Sequence, residues 1–147
     1  MTDIEFRVDL PDKFDYALRL ARKYALQGQA QLVVAADADT IDAIDTALWD
    51  RSAAEFLPHC KADAPEEVLR RSPVVLAQSS QGADDALPHG VLLNLGAAVP
   101  KGFERFERLI ELVGTADGDR EDGRERWRHY KSRGYALRHQ SAFGERT

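Results

Sequence analysis

Four short, nearly unbroken apolar runs punctuate the chain: "AQLVVAA" (30–36), "PVVLAQ" (73–78), "VLLNLG" (91–96) and "RLIELVG" (108–114). None alternates polar and apolar residues strictly, as a strand with one wet face would, so each reads as a strand covered on both faces. Such strands need a layer on either side, and the segments between them supply it. "PDKFDYALRLARKYALQG" repeats Phe14, Leu18, Ala21 and Ala25 at helical spacing, with Pro11 suited to the first turn and Gly28 to the stop. "DTIDAIDTALWD" sets Ile41, Ile44 and Leu48 on one stripe, with Asp37 or Asp39 as its cap. Residues 117–133 read as a further helix, with Gly134 as its C-cap. Helices between strands imply crossover connections and a largely parallel sheet. The expected fold is a three-layer α/β/α sandwich, Rossmann-like in the loose sense.

The other segments fit around this frame. "IEFRV" (4–8) alternates and reads as a strand, and "YALRH" (135–139) as a final edge strand. "SAAE" (52–55) has capping-box spacing for a short turn, "KADAPEEVLRRS" reads as a connector with a little helix, "SSQGADDALPHG" as a surface loop and "GFERF" as a helical turn. A length of 147 residues suits one domain, over 1–140, with a loose tail at 141–147.

The chemistry-bearing residues exclude more than they offer. A dinucleotide site would follow the first strand with a glycine fingerprint, but that position reads "DLPDKFDYA", and no GxxxxGK[ST] occurs. The aspartates of "AADADTIDAID" fit helix capping better than a metal or ribose site. His59 and Cys60 in "LPHC" and His89 in "LPHG" lack the paired spacing of a metal site, so no metal or cofactor is expected. The single cysteine fits a reducing compartment. "MTDIEFRVDLPDKFD" has no apolar run behind a basic start and no stretch is long enough to span a bilayer, so the expected location is the cytoplasm.

One stretch runs against the overall charge. The chain carries −5, yet residues 120–140 hold seven Arg or Lys against three Asp or Glu, leaving −9 for the remainder. That pattern suits one basic patch on an acidic body better than a surface that coats nucleic acid. On a helix, Arg124, Trp127, Arg128 and Lys131 share one face, and Arg126, Tyr130 and Arg133 another. Three readings of the first face are open: a solvated face laced by Glu121–Arg124 and Glu125–Arg128 pairs, a nucleic-acid patch, or a receptor for an acidic peptide ending in an aromatic residue. Trp49 and Phe56 in "ALWDRSAAEFLPH" either cap the core or form a protein-binding face.

The blocks "ALWDRSAAEFLPH", "VLLNLG", "VPKGFERFERLIELVG" and "RERWRHYKSRGY" stand in the order and spacing of one family. From the first strand to Tyr135 the sequence resembles the chi subunit of bacterial DNA polymerase III. The resemblance implies a non-catalytic accessory protein of the clamp-loader assembly. It also implies binding to the acidic C-terminal tail of single-stranded DNA-binding protein (SSB), which ends in Pro-Phe. A second implied partner is the psi subunit, which reaches the clamp loader, or an XPD/DinG-like helicase on the same face. DNA and the clamp loader would be contacted only indirectly. By motif match Arg124, Trp127 and Arg128 fall on the SSB-tail site, with Trp127 where tyrosine is common and Arg128 where lysine is common. Lys131 joins them by helix geometry, and Trp49, Phe56 and Pro58 match the psi or helicase region. The rival readings are direct single-stranded nucleic-acid binding, a helicase-associated repair adaptor, and a small-molecule enzyme using His59, Cys60 or Asp37.

Overall fold

A computed structural model of the chain describes residues 1–27, 30–51, 57–78 and 89–141. Gly28, the "SAAE" turn, Phe56, nearly all of the "SSQGADDALPHG" loop and the tail beyond Ser141 lie outside these residues. The elements are β1 (Asp3–Leu10), α1 (Lys13–Gln27), β2 (Leu32–Ala36), α2 (Ala38–Arg51), β3 (Cys60–Lys61), α3 (Glu66–Arg71), β4 (Val74–Gln78), β5 (Val91–Asn94), β6 (Arg108–Gly114), α4 (Asp117–Ser132) and β7 (Leu137–Ser141). The strands form one sheet in the order β3-β4-β2-β5-β6-β1-β7, with every neighbouring pair parallel.

The unbroken apolar runs follow from this arrangement. On one face, Leu32, Val34, Leu76, Leu93 and Leu112 pack with Ala17, Leu18 and Ala21 of α1 and with Ile41, Ile44 and Leu48 of α2. On the other, Val33, Val75, Leu92 and Leu109 pack with Leu69 of α3, Tyr130 of α4, and Phe103 and Phe106 of the turn before β6. Successive residues of β2 therefore enter opposite cores, and all five are buried. Together the helices and sheet make the three-layer sandwich.

Local chemistry sets the element ends. The Asp15 amide donates to Asp12 Oδ1 at 3.0 Å, so α1 starts after Asp12 and Pro11 lies before the helix, not in its first turn. The Thr40 amide donates to Asp37 Oδ1 at 2.8 Å, so Asp37, not Asp39, caps α2. That backbone hydrogen bond holds the Asp37 carboxyl below its ordinary range. In the "KADAPEEVLRRS" region the expected bit of helix is α3, and the two-residue strand β3 precedes it. Two residues carry no periodicity for a sequence pattern to reveal. Among the described residues no helix is long and apolar enough to cross a membrane.

One irregularity shapes the site. Ile4 and Phe6 of β1 face the α4 side, whereas Arg7 hydrogen-bonds the Tyr16 hydroxyl of α1 on the other side. The β1–β6 register then shifts between Arg7 and Leu10, and Asp9 adopts a left-handed conformation with φ 59°. Leu10 consequently enters the α1–α2 core, and Asp9 joins the surface under α4. Aspartate tolerates this conformation better than most residues.

Candidate functional site

α4 is fixed at its start and in its middle. Asp117 and Asp119 lie in its first turn, where the helix dipole favours negative charge. Asp119 accepts hydrogen bonds from the Gly114 amide at 2.5 Å and from Lys13 Nζ at 3.0 Å, tying the helix start to β6 and α1. Gly134, with φ 84°, follows the C-cap residue Arg133 and ends the helix. In the middle, Gly123 packs so closely on β6 that an added Cβ would lie 2.8 Å from Val113 Cγ2.

The inward face of α4 carries a buried polar network. Arg126 and Glu111 are only 2% and 0% exposed. Arg126 Nε donates to Glu111 Oε1 at 3.0 Å, and its Nη1 donates to the Ala97 carbonyl at 2.8 Å. The Tyr130 hydroxyl donates to Glu111 Oε2, and the Asn94 amide donates to Oε1 at 2.8 Å. Burial pushes the Glu111 carboxyl up, while the Arg126 charge and the donated hydrogen bonds pull it down. Burial, then the neighbouring Glu111 charge, push the Tyr130 hydroxyl well above its ordinary range, so it remains a donor. The helix therefore has one rotational setting, with Arg126 and Tyr130 turned in.

That setting turns Arg124, Trp127 and Arg128 out, over a groove of about 650 Å³ between α4, β1 and β7. Its floor is apolar: Phe6, Val8, Val113 and the half-buried Trp127. Trp127 is held edge-on by Phe6, with ring centroids 5.1 Å apart, and by His139 at 6.0 Å. Its rim is cationic: Arg120, Arg124 and Arg128 recur every fourth residue. Arg124 and Arg128 are 64% and 65% exposed. Asp9 and Glu121 sit among these cations. Arg120 reaches Asp9 Oδ1 at 3.6 Å, Arg124 reaches Glu121 Oε2 at 3.2 Å, and Arg128 reaches Glu121 Oε1 at 3.6 Å. Arg128 thus pairs with Glu121 in place of Glu125. A slot with an apolar floor and arginine rim can hold a ring and several carboxylates together.

Of the expected site residues, the fold brings together Arg124, Trp127 and Arg128. Lys131 is exposed one turn further on and does not line the groove. Sequence reasoning missed Arg120, Phe6, Val8, Asp9 and His139. Arg120 carried a signal, since it extends the Arg124–Arg128 spacing back by four residues. The strand residues carried none, because they come from distant parts of the chain.

The other expected face lies across the molecule, on α2. Trp49 is 54% exposed at the end of α2, with its ring 5.0 Å from that of His59. Pro58, next to His59 in the chain, is half-buried, and Phe56 lies outside the described residues. His59 is occupied structurally: Nδ1 is 2.7 Å from the Leu57 carbonyl and Nε2 is 3.0 Å from Asp45 Oδ1. Burial pushes the Cys60 thiol up, which suits an inert thiol. His89 packs edge-on against Phe106. Among the described residues no three His, Cys, Asp or Glu converge as a metal site would require.

Comparison with known proteins covers both faces. Residues 1–138 match the family described as DNA polymerase III chi subunit, HolC. The DNA polymerase III subunit chi of Pseudomonas aeruginosa is 30% identical over 141 residues, spanning 93% of this chain and 94% of that protein. The groove-lining residues of α4 and the Trp49–Pro58 segment both fall inside the matched span. The chain belongs to the chi-subunit family of DNA polymerase III and is an accessory subunit of the replication machinery.

Proposed function

We propose that this subunit is a non-catalytic cytoplasmic adaptor that holds the replicase to SSB-coated template. In this reading the groove receives the acidic C-terminal tail of SSB. The terminal phenylalanine lies on Phe6, Val8 and Trp127, and carboxylates meet Arg120, Arg124 and Arg128, with Lys131 further along the same helix face. Trp49, Phe56 and Pro58 take the psi subunit, or an XPD/DinG-like helicase, and through it the clamp loader. One domain, residues 1–140, would carry both faces. The observation that supports tail binding is the pairing of an apolar floor with three arginines at one groove. Arginine favours such a site because its fork meets carboxylates in two-point contacts. A weak contact suffices, because SSB displays several tails and linked sites raise the local concentration.

The test is a fluorescence-anisotropy titration with a labelled acidic peptide ending in Pro-Phe and the same peptide without the phenylalanine. Binding that requires the ring and weakens with salt is expected. Arg124→Ala and Arg128→Ala should each weaken it without shifting Tm. Unchanged affinity in both variants would reject the site, and binding to a bare oligonucleotide in place of the peptide would favour direct nucleic-acid recognition.

A further inference from the structure

Each rim arginine of the groove already faces a carboxylate from the protein itself. Glu121 serves two of them, at 3.2 Å from Arg124 and 3.6 Å from Arg128, and Asp9 serves Arg120 at 3.6 Å. Asp9 is held for this position: its left-handed backbone turns it under α4, and the Ser141 hydroxyl donates to its Oδ2 at 2.6 Å. An arriving carboxylate therefore does not meet bare cations. It competes with a resident one for the same guanidinium.

We infer that Asp9 and Glu121 are placeholder carboxylates that occupy the groove's arginines until an acidic ligand displaces them, and so set how much apolar anchoring that ligand must bring. The inference rests on the proposed docking of an acidic tail. Its physical content is competition. Arginine contacts to an incoming acidic chain replace existing contacts, so charge alone gains little, while a ring on the Phe6–Trp127 floor displaces only water. Acidic segments without an aromatic end then fall below useful affinity. That selectivity matters in a cell full of acidic chains and nucleic acid, and it comes from a repulsive element built into the site.

Glu121→Gln removes the charge from an exposed side chain and keeps its shape, so folding is not at stake. Asp9→Asn keeps both the left-handed tolerance and an acceptor for Ser141. In the same anisotropy titration at low salt, each variant should bind the Pro-Phe peptide about three- to fivefold more tightly, the upper range for an exposed ion pair. The peptide lacking phenylalanine should gain by the same factor, leaving the ratio between the two peptides unchanged. Binding by the variants should also fall more steeply with salt, because their arginines gather solution ions in place of a fixed carboxylate. Glu125→Gln is the control. It makes the same change in net charge on the same helix, at a residue with no ion pair among the described residues, and should change affinity little.

If Glu125→Gln tightens binding as much as Glu121→Gln, the effect is a diffuse field and the placeholder inference is overturned. The same holds if the wild type binds in a ring-dependent way and neither Glu121→Gln nor Asp9→Asn tightens it. If the wild type binds neither peptide, tail docking itself fails and the inference falls with it.

Discussion

Replacing Arg126 with methionine keeps an unbranched apolar stem and deletes a guanidinium from a site sealed from water. Arg126 is the only cation bonded to Glu111 among the described residues, at 3.0 Å. Removing one partner of a buried pair generally costs about 3–5 kcal/mol, because the other charge is stranded. Glu111 would keep its Tyr130 and Asn94 donors, so the lower end, about 3 kcal/mol, is expected. In a chain of this size that lowers Tm by about 6–12 °C. Urea unfolding followed by tryptophan fluorescence gives the free energy directly, and an unchanged slope would show that the transition is still the same one. The loss should also depend on pH. Burial already pushes the Glu111 carboxyl up, and without Arg126 the chief opposing influence is gone. A raised folded-state pKa means that the folded state binds the extra proton. The resulting stability is present at low pH and lost as pH rises through that pKa. The deficit of Arg126→Met should therefore be larger at pH 8 than at pH 5, and adding Glu111→Gln should recover most of it. A deficit below about 1 kcal/mol that is equal at both pH values would refute the role assigned to this pair.

Trp127→Ala should weaken the ring-bearing peptide roughly tenfold while hardly changing the peptide without the ring, because the substitution removes floor and not charge; the anisotropy titration separates the two. Gly134→Ala should cost about 1–2 kcal/mol in urea unfolding. Nothing lies within 4 Å of the added Cβ, so the whole cost is the φ of 84°. Asp37→Ala should destabilise the protein at neutral pH. The Asp37 carboxyl lies below its ordinary range in the folded state, so its contribution is present above the unfolded pKa and lost as pH falls through the folded one. Thermal unfolding of wild type and variant should therefore begin to converge only as pH falls below the ordinary aspartate value of about 4.

The sheet was legible because burial on both faces leaves a pattern that few other environments allow. "PVVLAQ" and "RLIELVG" announced β4 and β6 almost to the residue. The outward face of α4 was legible for a similar reason, since three residues at helical spacing come together whatever the rest of the fold does. What stayed hidden depends on distant partners. Nothing in the sequence singled out Glu111, and only Arg126 and Tyr130, from a different element, show why a carboxylate can lie at 0% exposure there. From sequence the same two residues stood only as members, with Arg133, of a second face of α4. The turn at Asp9 was invisible because its cause is a slip in register against β6, a property of two strands and not of one. The floor of the groove was hidden because Phe6 and His139 are neighbours only through the pairing of β1 with β7.

That pairing has a consequence for how the molecule comes into being. β1 lies between β6 and β7, with Asp3 beside Arg108 and Ile4 beside Leu137. β1 thus has no sheet partner until more than a hundred further residues have been made. Contacts of such sequence separation close slowly. During synthesis Ile4 and Phe6, destined for the core, stay uncovered while the strands between them and β6 assemble first. Partly made chains are accordingly the sticky ones, and chaperone demand should end when β6 and α4 leave the ribosome. The groove is complete only with β7 in place, since that strand brings His139 to its wall, so a chain that stops short of β7 offers an incomplete groove to the ligand.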